Sequence, residues 1–370
     1  MKKPLTIALV VPSISSVKAF FLPLLQVESN KVHFHVITSG VEAFDEDGQI
    51  PDTAKVHYVK HFRSLNPVKI FAARASIKRL LSEIKPDIIH AHFLMAAFVI
   101  ATINTKVLRW ITLHGVYHLA DNSLKGKWIG LMEKFAILKA DRVEVLNVRD
   151  FNHLNGSSKV KLLPIPGVGV NTDKFDFKYY SEANKKEVRE ELGLTSENVV
   201  LLYLGRYTTF KGYPTVIEVA NKISATLPNI KILTCGAVDD LHSTKSIHDK
   251  PSNLIDVGWS NKVEKYMSVA DLMIFPSRRE GLPVTVMEAL SMKLPVIAYH
   301  IRGVEDLIKD GENGFLVEDL NEDAFVNRLF ELLKSPEKIS KMKQEMAGWT
   351  VNYSSEIYVQ HQLNTYLSKS

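Results

Sequence analysis

Short apolar runs alternate with longer, mixed ones along almost the whole chain. Residues 5–11, 32–38, 55–59, 87–90, 107–113, 142–146 and 160–165 are short, apolar and often β-branched, which predicts strands. Between them, residues 67–84, 93–103 and 124–139 carry apolar positions at helical spacing. Pro164, Ile165, Pro166, Gly167, Val168 and Gly169 break the rhythm, and this segment is the candidate hinge. The polar and aromatic stretch 173–186 is expected to wrap the surface. A second alternation follows, with strands at 199–204, 230–234, 254–257, 272–275 and 296–299. Helices are expected at 213–227, 262–270, 284–292, 304–309, 322–333 and 336–346, and a last one at about 354–367. Strands alternating with helices imply parallel sheets covered on both faces. The expected fold is therefore α/β, with two Rossmann-like domains whose parallel sheets face a central cleft. Ligands of such sheets sit outside the carboxyl ends of the strands. The boundary is placed between Val168 and Gly169, giving domains 1–168 and 169–353, with the final helix packing back on the first.

Composition narrows the setting. A chain of 370 residues with 46% apolar content suits two soluble domains. The single cysteine, Cys235, has no partner for an intramolecular disulfide and favours a reducing, cytoplasmic compartment. No apolar run reaches the roughly 18 to 20 residues of a membrane span. The apolar run after Met1, Lys2, Lys3 and Pro4 ends at Pro12 without a small-residue cleavage pattern, so it is read as a first strand, not a signal peptide. The net charge of +5 is uneven: residues 1–175 hold 23 Lys/Arg against 14 Asp/Glu, and the remainder 23 against 27. A positive first half suits an anionic surface. No nucleic-acid recognition motif accompanies it, so a nucleic-acid partner is not expected.

The densest chemistry lies in residues 276–290, P-S-R-R-E-G-L-P-V-T-V-M-E-A-L, which leave a strand and enter a helix. Gly281 and Pro283 at the turn allow a close backbone approach. The amides near Leu282, Val284 and Thr285 precede any intrahelical acceptor and, with the helix dipole, suit a diphosphate. Glu280 and Glu288 flank that anion site and could hold sugar hydroxyls at both ends of a ligand. Glu288 lies in an otherwise apolar helix, where a carboxylate calls for a hydrogen-bonding reason. A second motif, Gly205, Arg206 and Lys211-Gly212, directly follows a strand and supplies two cations for a leaving diphosphate.

These stretches resemble the retaining glycosyltransferases of the GT-B fold, family 4. Glu280 and Glu288 match its E-x7-E element, and Gly205, Arg206, Lys211 and Gly212 its G-R-x(n)-K-G element. Residues 85–92 (K-P-D-I-I-H-A-H), 112–115 (T-L-H-G), 165–170 with Phe175, and 310–317 (D-G-E-N-G-F-L-V) match further, so the likeness spans about 85 to 317. The resemblance implies a first domain for the acceptor and a second for a nucleotide-sugar, transfer with retention, and no metal or other cofactor. It implies that Arg206 and Lys211 grip the diphosphate, that Glu280 lies near the donor sugar and Glu288 on the ribose. Residues Gly281, Leu282, Pro283 and Val284 would form the backbone cradle. Gly236 and the Gly258-Trp259 pair lie where the family places its base pocket, and His114 where it places a histidine on the donor sugar.

One departure concerns the loop after the first strand, glycine-rich in the family. Here it is Val11-Pro12-Ser13-Ile14-Ser15-Ser16, and Ser13, Ser15 and Ser16 are the candidate acceptor contacts. His90 and His92 are read as packing residues, and His118 is left unassigned. Asp45-Glu46-Asp47 has the letters of a metal-binding D-x-D but lies in a polar loop, and no Cys/His set has zinc spacing. The expected partners are a nucleotide-sugar, with UDP preferred, and a glycan or lipid-linked acceptor of the cell envelope. Basic, aromatic helices at 67–84 and 124–139 add an anionic membrane surface, a pattern that a sheet-covering helix shares. A catalytically silent nucleotide-sugar-binding subunit, or an isomerase or hydrolase of the same fold, remains an alternative.

Overall fold

A computed structural model describes the chain apart from residues 1–2, 28–29, 40–48, 61, 63–65, 117–122, 155–156, 164–166, 239–249, 319, 347–352 and 369–370. The first half of the hinge (Pro164, Ile165 and Pro166), Asp45-Glu46-Asp47 and His118 lie outside the described residues. The chain divides into two compact units, 1–168 with 355–370, and 169–354.

The first unit is built on β1 (Leu5–Val10), β2 (Val32–Thr38), β3 (Lys55–Tyr58), β4 (Ile88–His92), β5 (Leu108–Leu113), β6 (Arg142–Val145) and β7 (Val160–Leu162). All pair in parallel, in the order β3-β2-β1-β4-β5-β6-β7. Its helices are α1 (Ile14–Phe20), α2 (Leu22–Leu25), α3 (Pro67–Ile84), α4 (Leu94–Ala101), α5 (Leu124–Lys139) and α6 (Val148–Leu154). One core cluster joins Ala8 and Val10 of β1 and Ile89 and Ala91 of β4 to Ala73, Ile77 and Leu81 of α3, Ala96 and Ile100 of α4, and Ala136 of α5. These three helices therefore cover the same face of the sheet.

The second unit contains α7 (Glu182–Glu191), β8 (Val199–Leu204), α8 (Tyr213–Thr226), β9 (Ile230–Cys235), β10 (Leu254–Gly258), α9 (Val263–Val269), β11 (Leu272–Phe275), α10 (Val284–Ser291), β12 (Val296–Tyr299), β13 (Gly314–Val317), α11 (Glu322–Leu333) and α12 (Pro336–Glu345). Its parallel order is β10-β9-β8-β11-β12-β13. Val170 pairs with Ser354, and its amide meets the Tyr353 carbonyl at 2.6 Å, so the chain enters and leaves this unit side by side.

Several elements differ from the sequence expectation. Residues 304–307 form successive turns and 308–309 are irregular, so no helix stands there. The Asn313 side chain accepts the Lys309 amide at 2.8 Å and donates to the Leu307 carbonyl at 2.9 Å, turning the chain into β13. That strand opens on a glycine and escaped a search for apolar runs. Within 173–186, helix α7 begins at Ser181, whose hydroxyl caps the Asn184 amide; its one buried side chain is Val188. The serine-rich segment after β1 is also largely helical: Ser13 is the N-cap of α1, and Ser15 and Ser16 lie in its first turn.

The C-terminal helix α13 (Ser355–Leu367) belongs to the first unit through a buried polar relay. Arg142 pairs with Glu144 at 2.8 Å, and Thr112 donates to Glu144 at 3.0 Å. The Thr112 hydroxyl proton is thus committed, so His90 Nε2, at 2.7 Å, must donate to it. His90 Nδ1 then accepts from the Tyr366 hydroxyl at 2.6 Å. Burial holds His90 neutral, pushing its pKa down to about 4; nearby Glu144 opposes the shift and Arg142 adds to it. Tyr366 also stacks on Trp110 at 5.4 Å. Replacing Tyr366 with Phe keeps the ring and leaves His90 Nδ1 without its donor. It should cost about 1–2 kcal/mol in urea unfolding of the first unit, with the far-UV spectrum unchanged.

Candidate functional site

In the second sheet the strand order reverses between β8 and β11: the chain builds outward through β9 and β10 on one side, and through β12 and β13 on the other. This is a topological switch point, where loops leaving adjacent strands open a crevice at the carboxyl edge. The two loops there are residues 205–212 and 276–283, the two motifs singled out from the sequence.

Backbone packing binds these loops together. Gly212 sits at φ +73° before α8, and a Cβ on it would lie 2.0 Å from the Pro276 carbonyl oxygen. Only glycine permits that approach. The Arg278 amide donates to the Phe210 carbonyl at 3.0 Å. Side chains then complete the contact: Lys211 Nζ lies 2.6 Å from Glu280 Oε1, and the buried Ser277 hydroxyl donates to the same oxygen at 2.6 Å. Arg302 Nε approaches the Glu280 carbonyl at 3.4 Å. Lys211 and Glu280 are both mostly buried, which makes this a charge-assisted bond in a low-dielectric setting. Arg206 is exposed at the exit of β8, with its carbonyl accepting from the Tyr203 hydroxyl at 2.8 Å.

Gly281 and Leu282 lead to Pro283, which caps α10 with no side-chain hydrogen bond. The amides of Val286 and Met287 turn back to the Pro283 carbonyl at 3.1 and 3.4 Å. Those of Val284 and Thr285 precede any helical acceptor and face the anion-favouring end of the helix dipole. Glu288 follows about one turn into the helix. The hydrogen bond anticipated for it is absent: among the described residues none reaches its carboxylate. Burial raises its pKa from 4.5 to about 7, against the pull of Lys174 and with a further push from Glu264. Lys174 and Glu264 are themselves 3.3 Å apart. Glu288 is thus a poorly solvated carboxylate that holds a proton near neutrality and lacks a partner.

The glycines near the edge of the sheet have structural reasons of their own. A Cβ on Gly236 would lie 1.8 Å from the Gly205 carbonyl oxygen, so this glycine lets β8 and β9 exit side by side. Gly258 ends β10 at φ +67°, and Trp259 after it is 73% exposed. Sequence reasoning missed what stands beside them. Asp256 accepts from the Tyr207 hydroxyl at 2.6 Å and the Gly258 amide at 2.9 Å, and pairs with Lys250 at 2.6 Å. Burial opposes its ionisation, but bonds from Lys250, Tyr207 and Gly258 outweigh it and hold its pKa below the usual value. Ser277 was also missed, although its place three residues before Glu280 was a usable signal.

The first sheet has its own switch point, between β1 and β4. Ser13 follows β1; its hydroxyl caps the Ser16 amide at 3.2 Å and lies 3.1 and 2.8 Å from the Ser15 and Ser16 hydroxyls. The three serines thus mostly satisfy one another. His114 follows β5 and stacks on Phe93 at 3.9 Å, with its Nε2 3.2 Å from His92 Nδ1. His90 and His92 do pack and hydrogen-bond, as expected. Burial, then the neighbouring His90, pushes the His114 pKa down to about 3, so the ring is neutral at any physiological pH. Among the described residues, no group of three or more His, Cys, Asp and Glu side chains is placed to hold a metal ion.

Residues 184–349 match the family model described as glycosyl transferases group 1, and residues 26–145 the model described as glycosyltransferase family 4. The putative glycosyltransferase EpsD of Bacillus subtilis is 26% identical over 309 residues, 80% of each chain. The UDP-Gal:alpha-D-GlcNAc-diphosphoundecaprenol alpha-1,3-galactosyltransferase of Escherichia coli is 27% identical over 296 residues, 76% of this chain and 75% of its own. In fold, the chain is similar to Anabaena Alr3699/HepE, solved in complex with UDP and glucose, with a TM-score of 0.79 at 17% identity over 98% of this chain and 99% of that one.

The Glu288 shift carries a stability prediction. A carboxyl whose folded pKa lies above its unfolded value stabilises the fold at low pH, and that contribution is lost as pH rises from about 4.5 through about 7. Glu288→Gln should remove this slope and raise stability at about pH 8 by up to ~2 kcal/mol. Urea unfolding at a series of pH values checks it; an unchanged slope would overturn the assignment.

Proposed function

Because the chain belongs to the family 4 glycosyltransferases of the GT-B fold, we propose that it is a retaining, metal-independent hexosyltransferase that uses a UDP-sugar. The observation that carries this reading is the Lys211–Glu280 pair, held by Ser277 beside the first turn of α10 at the switch point. In the reading, Arg206 and Lys211 take the donor diphosphate, with the amides of Val284 and Thr285 on its oxygens. Gly205 gives Arg206 its tight exit from β8, and Gly281, Leu282 and Pro283 bring the backbone to the sugar and phosphates. Glu280 accepts from hydroxyls of the transferred sugar, and Glu288 from the ribose, gaining the donors it lacks in the free chain. Gly236, Gly258 and Trp259 border the base.

A retaining transfer of this kind depends on stabilising the leaving diphosphate. The acceptor hydroxyl attacks on the face the leaving group vacates, and a phosphate oxygen takes its proton. Two cations and a helix N-terminus supply the stabilisation that a metal would otherwise provide. That Lys211 already has a carboxylate partner suits this role, because its ammonium is positioned before the ligand arrives. The acceptor is assigned to the first unit, with Ser13, Ser15 and Ser16 lining its approach and the neutral His114 offering a ring that can hydrogen-bond a sugar hydroxyl. The acceptor class is a glycan or a lipid-linked envelope precursor, a reading supported by the activity for which the E. coli relative is named. Work on a lipid-linked acceptor would place the protein on the inner face of the cell membrane.

Nucleotide release that requires an acceptor separates transfer from a silent binding subunit, an isomerase or a hydrolase. UDP should raise the melting temperature more than GDP or ADP does, since a ligand of the folded state shifts apparent stability. Arg206→Ala combined with Lys211→Ala should lower kcat at least about 10²-fold, and EDTA should leave the wild-type rate unchanged. Full turnover in the double variant, with folding verified by circular dichroism, would overturn the reading.

A further inference from the structure

Helix α5 has two apolar faces, and the sheet uses only one. Met132 and Ala136 are buried at 3% and 1%, and Gly126 and Gly130 are buried beside them. On the other side, Leu124, Trp128, Leu131, Phe135 and Leu138 are exposed, from 36% for Phe135 to 87% for Leu124. At 100° per residue these five fall within an arc of about 80°, a stripe that runs about 21 Å along the helix. Lys127 and Lys134 flank it on one side and Lys139 on the other, all exposed. The helix has one acidic residue, Glu133, and it is fully buried. What α5 presents to solvent is therefore a continuous apolar stripe edged only by positive charge.

Helix α3 shows the contrast. It shares the basic composition, but its Ala73, Ile77 and Leu81 are spent on the core, and only Val68 and Phe71, near its start, stay exposed among its large apolar residues. Its sequence pattern is that of a sheet-covering helix. Lys69, Lys78 and Arg79 remain exposed on it and extend the positive surface over the same sheet face as α5.

We propose that α5 is the surface by which this protein rests on an anionic lipid bilayer, with Leu124, Trp128, Leu131, Phe135 and Leu138 in the headgroup–acyl boundary and the lysines on phosphate. Charge decides for lipid over a second copy of the chain. Stripe-to-stripe packing of two copies would crowd their lysines together with no exposed carboxylate on α5 to meet them. A lipid surface supplies the anions, and its acyl region accepts the leucines and the tryptophan. The inference deepens the membrane part of the proposed function and does not depend on the donor chemistry.

The test is flotation of the full chain with vesicles of phosphatidylethanolamine containing phosphatidylglycerol, against vesicles of phosphatidylcholine alone. Binding is expected to the first and not the second, and to fall as salt screens the lysines. Trp128→Glu with Leu131→Glu should lower the bound fraction at least about tenfold, with melting temperature unchanged because both side chains are exposed. Equal flotation of wild type and variant would overturn the proposal. So would a wild-type dimer by light scattering that the variant abolishes, without vesicle binding. Turnover on a short water-soluble acceptor distinguishes the two failures: if the variant keeps it while wild type fails to float, only the membrane surface is lost.

Discussion

The contact between Lys211 and Glu280 is the constraint around which the second unit is organised. It ties together the exits of β8 and β11, the two strands at which the sheet changes its direction of growth. The pairing requires that two loops approach backbone to backbone, which Gly212 allows against Pro276 and the Arg278 amide fixes against Phe210. Ser277 then spends its hydroxyl on the same carboxylate oxygen. A mostly buried ion pair is costly unless further hydrogen bonds support it, and here one is supplied from within the turn. Its usefulness lies less in stability than in readiness: a cation held at a helix N-terminus, beside unsatisfied amides, is a ready site for an anion.

Glu288 gives the complementary half of that logic. A carboxylate in a poorly solvated position with no donor is a liability in the free chain, and its pKa of about 7 records the cost. Hydroxyl donors from a ligand would favour its charged form and draw the pKa down. The free chain therefore carries, on either side of the turn into α10, an acidic group paired with its own lysine and another that no hydrogen bond reaches among the described residues. This asymmetry is the form that strain takes at the candidate site, with no left-handed backbone at either glutamate.

Much of this was legible in the sequence, and the limits are physical. Parallel sheets followed from the strand spacing, and the motifs at 205–212 and 276–290 were placed at strand ends because apolar runs precede them. Which partner each charge takes was not legible: Lys211 meets Glu280 only because the topology brings two loops 69 residues apart together. Helix α7 was hidden because it buries a single side chain, and β13 because it starts on glycine and gains its identity from pairing with β12. Residues 304–309 have helical composition, but the Asn313 side chain competes for the backbone groups a helix would use. The serines after β1 read as a loop because capping and loop chemistry use the same residues.

The two switch points differ in electrostatic character, and the difference bears on how the units divide the work. At the second sheet the groups are charged and poised: Lys211, Glu280 and Arg206 at one edge, Asp256 with Lys250 and Tyr207 beside it. At the first sheet the corresponding edge is a neutral cluster of tilted rings, His90 against His92 and His92 against His114, with Phe21, Phe93 and Tyr366 packed around it. Burial keeps all three rings uncharged, and the nearby ion pair of Arg142 with Glu144 belongs to the relay that secures α13. Neutral imidazoles can donate and accept hydrogen bonds without adding charge, which suits contact with sugar hydroxyls. Exposed basic residues of the first unit are carried by α3 and α5, among them Lys69, Lys78, Arg79, Lys127, Lys134 and Lys139. The positive excess of the first half is thus carried in part by these exposed helical positions, while the histidine cluster at the sheet edge is neutral.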